Sequence, residues 1–249
     1  LPHETKTIQV DIRQENIGNR TAVSLGVWSD ISSLLEILNP KVEQKEDTTF
    51  IDKLIKNFED WKGNMKEQAS PTRENEPLHP QIFADLVNEH ASNDAIFTVE
   101  TGTSAIWAAH HISFHSQRRL IGSFNHGSMA VGLPSAIGAQ MANPKKEIWC
   151  LSGDGAFNMA MQDFITAVKY ELPVKVLIFN NSELSFVKLE MEQVGLAASL
   201  DALHETNVNF AEYAKLCGGD GVRVEHAKDI DAAVLQAKNS KKPFIIDAV

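Results

Sequence analysis

An acidic residue and an amide each follow an apolar segment that has the length of a β-strand. Asp154 lies in SGDGAF, directly after EIWCL, and Asn181 ends the segment VKVLIFNN. The residues between them suffice for one strand-to-strand crossover, so both side chains are expected at the same carboxyl edge of a parallel sheet. Carboxylate and amide oxygens are hard ligands of the kind that Mg²⁺ takes, with phosphate oxygens and water completing its octahedron.

A simpler interpretation of the same residues is a helix cap at Asp154 and a chain turn at Asn180 and Asn181. The combination of GDG, the crossover spacing and the paired asparagines favours the metal interpretation instead. Glycines let backbone N–H groups approach an oxyanion, and a carboxylate beside a phosphate requires a cation between them. The sequence therefore predicts metal-bridged phosphates at this edge.

Two further loops also follow predicted strands. ETGTSA, residues 100–105, comes after AIFTV, and FNHGSMAVG, residues 124–132, comes after RLIGS. Glycines in both loops, each followed by a predicted helix, are typical of an anion-binding turn.

The elements that must position these loops alternate along the chain from Pro80 onward. The predicted strands are AIFTV, RLIGS, EIWCL, VKVLIFN, GVRVE and FIIDAV, and the helices include PSAIGAQMA, NMAMQDFITAVKY (residues 158–170) and KDIDAAVLQAKN. Apolar strands separated by helices indicate a doubly wound α/β domain, a parallel sheet with helices on both faces. Its ligands belong at the carboxyl ends of the strands.

Residues 1–48 are predicted to be the end of an earlier α/β domain, with a strand at residues 6–12 and a helix at 31–40. Residues 49–79 read as a connecting amphipathic helix followed by the Pro-rich linker ASPTRENEPLHP, and residues 80–249 as the doubly wound domain. The chain starts without Met and ends on a predicted strand, so we expect it to be a piece of a longer polypeptide.

Composition limits the partners. A formal net charge of −10 argues against a general nucleic-acid or anionic-membrane surface, while leaving room for a local phosphate site. Two distant cysteines, Cys150 and Cys217, form no CxxC motif, which fits a reducing cytoplasm. No apolar run approaches the roughly 18 residues of a membrane span.

GDG followed by NN at this distance resembles the motif of thiamine-diphosphate-dependent enzymes, over roughly residues 78–249. The resemblance implies that Asp154, the side chain of Asn181 and the main-chain oxygen of Glu183 bind Mg²⁺. It implies a cofactor site made of Thr101, Gly102, Thr103, Ser104, Gly127, Met129, Gly153, Asp154, Gly155, Ala156, Asn181 and Glu183. Met129 takes the position of the apolar wedge that bends thiamine diphosphate, and the main chain of Gly127 and Met129 that of the aminopyrimidine contacts.

Within this family, RRLIGSFNHGSMA and LPVKVLIFNNSELSFVKLEME resemble the bacterial pyruvate oxidases. That resemblance implies that Phe186 walls the pocket of pyruvate or a similar 2-keto acid, that Glu190 reaches the reacting group, and that Asp11 and Asp30 contact FAD. It also implies a homodimer or homotetramer in the full-length enzyme, with peripheral membrane contact only through segments outside this chain. The activating glutamate of the family lies on a separate pyrimidine-binding domain, so this chain is expected to be inactive alone.

Three alternatives stay open. ETGTSA, with Thr101, is more similar to flavin-free keto-acid decarboxylases, and an acetolactate-synthase-like carboligase is a further relative of the same chemistry. From a different class, the chain would be a non-catalytic α/β nucleotide-binding module.

Overall fold

The computed structural model describes residues 4–70, 78–115, 117–197, 203 and 206–249. The chain divides into two units, Leu1–Phe58 and Glu59–Val249. In the first unit, strands β1 (Ile8–Asp11) and β2 (Leu25–Trp28) pair in parallel and are followed by helix α1 (Ile31–Leu38). Helix α2 (Thr49–Gln68) contains the boundary. The predicted linker lies partly outside the described residues, which omit 71–77.

Six strands organise the second unit, and each coincides with a predicted apolar segment. They are β3 (Ile96–Val99), β4 (Arg119–Gly122), β5 (Ile148–Gly153), β6 (Lys175–Phe179), β7 (Asp220–Val224) and β8 (Phe244–Ala248). They form one sheet in the order β4-β3-β5-β6-β8-β7, and every neighbouring pair is parallel. The predicted doubly wound parallel sheet is confirmed.

Eight α-helices of the second unit follow α2 in the described part of the chain. They are α3 (Pro80–His90), α4 (Thr103–His111), α5 (Gly132–Ala142), α6 (Asp154–Ala160), α7 (Phe164–Lys169), α8 (Ser185–Gln193), α9 (Phe210–Leu216) and α10 (Ile230–Asn239). None of the helices in the described ranges is both long and apolar enough to span a bilayer.

Helices cover both faces of the sheet because the strands are apolar on both faces. Alternate strand residues point to opposite sides, so Trp149 joins one buried cluster and Cys150 the other. The first cluster includes residues of α3, α4 and α10, and the second includes residues of α5, α7 and α9. Burial raises the pKa of the Cys150 thiol to about 12, which makes it an inert core residue.

The prediction for one helix is wrong about where it begins and about its being continuous. The sequence predicts a helix over residues 158–170, whereas the chain turns helical at Asp154, passes through a 3-10 turn at Met161–Asp163 and resumes as α7. Gly155 lies in the first turn of α6, and because glycine has low helix propensity, the sequence predicts a loop there. Helix formation directly after β5 keeps the first turn at the sheet edge.

Candidate functional site

The predicted loops meet where the direction of chain winding reverses. β3 has β4 on one side and β5 on the other, so the connections that leave β3 and β5 diverge and open a crevice at their carboxyl ends. A cavity of about 280 Å³ lies there. Every residue predicted from the sequence for thiamine diphosphate, metal or substrate lines it: Thr101, Gly102, Thr103, Ser104, Gly127, Met129, Gly153, Asp154, Gly155, Ala156, Asn181, Glu183, Phe186 and Glu190.

The turn after β3 is built for a close backbone approach. Gly102 has φ of +131°, a conformation that a residue with a side chain rarely adopts, and it is the N-cap of α4. Glycine has no side chain with which to cap, so the first N–H groups of α4 are left to other acceptors. A diphosphate oxygen at the start of this helix would meet both those N–H groups and the positive end of the helix.

Asp154 ties the loop after β5 to the loop after β6. Its Oδ1 accepts a hydrogen bond from the backbone N–H of Gly155 at 2.9 Å, and its Oδ2 accepts one from the N–H of Ser182 at 2.6 Å. The side chain is buried, and Ser182 adopts a φ of +56°, which is uncommon for a non-glycine residue. The carboxylate thereby fixes the course of the loop that carries Asn181 and Glu183.

The other predicted metal ligands are organised by Ser185. The Nδ2 of Asn181 donates to the Oγ of Ser185, and its Oδ1 accepts from the N–H of Glu183 at 3.3 Å. The side chain of Glu183 pairs with Lys188 at 2.8 Å, which raises the pKa of that lysine. The carboxylate of Glu183 is therefore engaged by Lys188, while its main-chain oxygen, the predicted ligand, accepts from the backbone N–H of Ser185 at 2.9 Å.

The oxygen donors of the site suit a cation whose remaining coordination positions are filled by a bound ligand and water. The described residues contain no cluster of three or more His, Cys, Asp or Glu side chains able to hold a metal ion. Asp154 supplies one carboxylate and Asn181 one amide oxygen. Mg²⁺ is commonly bound by one or two carboxylates together with phosphate oxygens and water, so these residues fit a diphosphate-bridged Mg²⁺.

Apolar side chains also line the cavity. Met129 is partly buried in a loop where Gly127 has φ of +62° and Ala130 has φ of +65°. Phe186 and Glu190 lie one turn apart on α8, and both line the cavity as their spacing predicts. Four lining residues were not predicted, namely Phe179, Leu184, Ser185 and Val187, and only Phe179, at the end of a predicted strand, had a signal in the sequence.

The residues proposed for FAD lie in the first unit. The carboxylate of Asp30 accepts hydrogen bonds from the N–H groups of Ser32 and Ser33 and so caps α1. Asp11 lines a separate cavity of about 560 Å³ and accepts from the N–H of Arg13 at 2.9 Å. Asp30 thus caps its helix, whereas Asp11 lines a cavity while its Oδ1 also accepts from Nδ2 of Asn16 at 3.3 Å.

Comparison with known proteins gives a consistent set of relatives. A family model described as thiamine pyrophosphate enzyme, C-terminal TPP binding domain, matches residues 100–248. The chain is 33% identical to the putative thiamine pyrophosphate-containing protein YdaP of Bacillus subtilis over all of the chain and 43% of that protein. It is 28% identical to acetolactate synthase 1 of Nicotiana tabacum, over 98% of the chain and 38% of the relative. It is also 28% identical to the pyruvate oxidase of Lactiplantibacillus plantarum, over 97% of the chain and 40% of the relative. The chain spans about two fifths of the length of these relatives.

Proposed function

The chain belongs to the thiamine pyrophosphate enzyme family, whose C-terminal TPP-binding domain it contains, and from that premise we propose that its cavity holds the diphosphate of thiamine diphosphate together with Mg²⁺. The observation that carries this proposal is the contact of Asp154 with Ser182, which brings the Asp154 carboxylate to the loop that holds the Asn181 amide and the main-chain oxygen of Glu183. Asp154, Asn181 and the main-chain oxygen of Glu183 would bind Mg²⁺. The turns at 102–104 and 153–156 would bind the diphosphate.

Thiamine diphosphate, when bound, supplies the electron sink for decarboxylation of a 2-keto acid. The chain's own residues bind and orient. Met129 would hold the two rings of the cofactor in a bent arrangement, as a flexible thioether fills irregular space. Phe186 would wall the substrate pocket and exclude water, and Glu190, one turn later on α8, would hold or move a proton at the carboxylate of the substrate.

We further propose that the whole protein carries out oxidative decarboxylation of pyruvate. Support comes from the placement of Phe186 and Glu190 on one cavity wall and from similarity to a pyruvate oxidase. FAD would be the electron acceptor in the whole protein, with Asp11 as the better placed of the two acidic contacts. A homodimer or homotetramer is the expected assembly.

A second candidate is a carboligase of the acetolactate synthase type, or a decarboxylase without flavin. The similarity to acetolactate synthases is as extensive as that to the pyruvate oxidase. Thr101, in ETGTSA, also favours the flavin-free decarboxylases, and its Oγ1 is engaged with the carbonyl oxygen of Ser128 at 2.9 Å. Product analysis separates these reactions, since pyruvate would give acetate, acetaldehyde or acetolactate.

The proposal is tested first at the level of binding. Calorimetry of the chain with thiamine diphosphate should show binding that requires Mg²⁺, and ADP with Mg²⁺ should bind far more weakly. Equal affinities for thiamine diphosphate and ADP would favour a non-catalytic nucleotide-binding module. Flavin content and pyruvate products of the whole protein then decide between the two reaction types.

A further inference from the structure

Glu100, at the carboxyl end of β3, is an acid that the proposed site does not use. It is 2% exposed, and its carboxylate accepts hydrogen bonds from the N–H of Gly132 at 2.6 Å and of Val131 at 3.2 Å. These N–H groups open helix α5, whose N-cap residue Val131 has no side-chain cap. Glu100 therefore caps a helix that begins about 30 residues later in the chain.

The capped segment is the end of the loop that carries Met129. Thr101, next to Glu100, donates its hydroxyl to the carbonyl oxygen of Ser128, just before Met129. Glu100 binds the two N–H groups just after Ala130, which adopts the uncommon φ of +65°. The loop is thus fixed on both sides of Met129 from the end of one strand.

We propose that Glu100 is a positioning residue for Met129 and Gly127, and so governs the pyrimidine end of the cofactor site without contributing to its diphosphate end. The inference rests on the proposed binding of thiamine diphosphate. Among the described residues, those that line the 280 Å³ cavity include Met129 and Gly127 but not Glu100, so the acid acts through the loop. Among the hydrogen bonds of the described residues, its carboxylate accepts none from residues 102–104, 153–156 or 181–183.

The environment of Glu100 explains why its contacts with α5 are sensitive to substitution. Burial raises the pKa of its carboxyl group, and the backbone N–H groups oppose that rise. Contact with α5 is also very close, because a Cβ atom added to Gly132 would lie 2.8 Å from Oε1 of Glu100. Two independent substitutions therefore disturb the same contact: Glu100→Gln changes the acceptor, and Gly132→Ala displaces it.

The experiment compares two probes by calorimetry on the chain in the presence of Mg²⁺. Thiamine diphosphate reports on both ends of the site, whereas inorganic pyrophosphate reports on the diphosphate and metal end alone. Glu100→Gln and Gly132→Ala should each weaken thiamine diphosphate about tenfold, in line with loss of a hydrogen bond to a charged group, and leave pyrophosphate within about twofold. Asp154→Ala should weaken both probes, and the exposed glutamate variant Glu89→Gln should weaken neither.

Each other outcome counts against the inference. Loss of both probes in the Glu100 and Gly132 variants, through misfolding or otherwise, would make Glu100 a structural residue of the whole domain. Unchanged binding of thiamine diphosphate in both variants would show that the loop does not depend on Glu100. A parent chain that binds neither probe would overturn the proposed function and this inference with it, whereas a parent that binds both probes equally well would overturn this inference alone.

Discussion

The backbone N–H of Ser182 lies 2.6 Å from Oδ2 of Asp154, so the acid at the end of β5 holds the loop after β6. That loop bears Asn181 and Glu183, and Ser182 adopts a left-handed conformation there. A non-glycine residue keeps such a conformation where its surroundings fix it. The proposed metal ligands are accordingly held together by the protein itself, and binding would require little rearrangement.

Asp154→Ala should abolish Mg²⁺-dependent binding of thiamine diphosphate, with an affinity loss of about 100-fold or more. Loss of an outer partner of a metal ligand typically costs about 10–100-fold, and Asp154 is proposed as a direct ligand. The measurement is calorimetry with and without Mg²⁺, with circular dichroism to establish that the fold is kept. Asp94→Ala is the matched control, since Asp94 precedes β3 at the opposite edge of the same sheet. Tight, metal-dependent binding by Asp154→Ala would remove the metal assignment.

Ser185→Ala should lower the affinity for Mg²⁺ about tenfold. The Oγ of Ser185 accepts from Nδ2 of Asn181, which turns the amide oxygen away from Ser185, and the variant frees that amide to rotate. Titration of Mg²⁺ at fixed thiamine diphosphate measures the change. Ser182→Ala serves as the control, because it removes a neighbouring hydroxyl and keeps the N–H that meets Asp154. Equal Mg²⁺ affinities in the two variants would contradict an orienting role for Ser185.

The sheet could be predicted from sequence because its strands are apolar on both faces and separated by turn signals. Short elements with weaker signals were missed. β2 contains Gly26, which weakens a strand, and it forms by pairing with β1. α9, only seven residues long, is stabilised by burial of Phe210 and Ala214 rather than by propensity.

The cavity-lining residues could be predicted because they belong to short motifs at strand ends. Glu100 and Ser185 could not, although both lie inside quoted stretches. The role of Glu100 depends on N–H groups about 30 residues away in the chain, and that of Ser185 on the direction of an amide. Such contacts are set by tertiary packing, which a pattern of residue types does not encode.

Met129→Ala, made in the whole protein, should slow exchange of the cofactor's C2 proton by a larger factor than it weakens cofactor binding. The variant removes the thioether that is proposed to fill the space between the rings, while the backbone of Gly127 and Met129 and the proposed diphosphate contacts are kept. Exchange followed by NMR and affinity by calorimetry give the two factors. Met141→Ala, at an exposed position on α5, is the control. If exchange is unchanged, Met129 only packs the loop.

The stability of the chain should fall as pH rises through the range above about 4.5, in part because of Glu100. Burial raises the pKa of Glu100 above its ordinary value of 4.5, so the folded state holds this proton more tightly than the unfolded state. The contribution is fully lost once pH exceeds the folded pKa. Chemical denaturation at several pH values should show a smaller decline for Glu100→Gln. The nearby Cys150 does not titrate in this range, with a pKa of about 12. Identical pH profiles would show that Glu100 is not perturbed.

The 249-residue chain should not turn over pyruvate, even with saturating thiamine diphosphate, Mg²⁺ and FAD. Its cavity is proposed to supply metal, diphosphate and wedge contacts, whereas the family resemblance assigns the activating glutamate to a separate pyrimidine-binding domain. Of the acids that line the cavity, Glu183 is paired with Lys188, and Glu190 lies on the exposed surface of α8. Missing general acid–base assistance typically costs about 10²–10⁴-fold in rate. Acetate and CO₂ release should therefore be at least about 100-fold below that of the whole protein assayed in parallel. Comparable release by the chain alone would show that its own residues complete the active site.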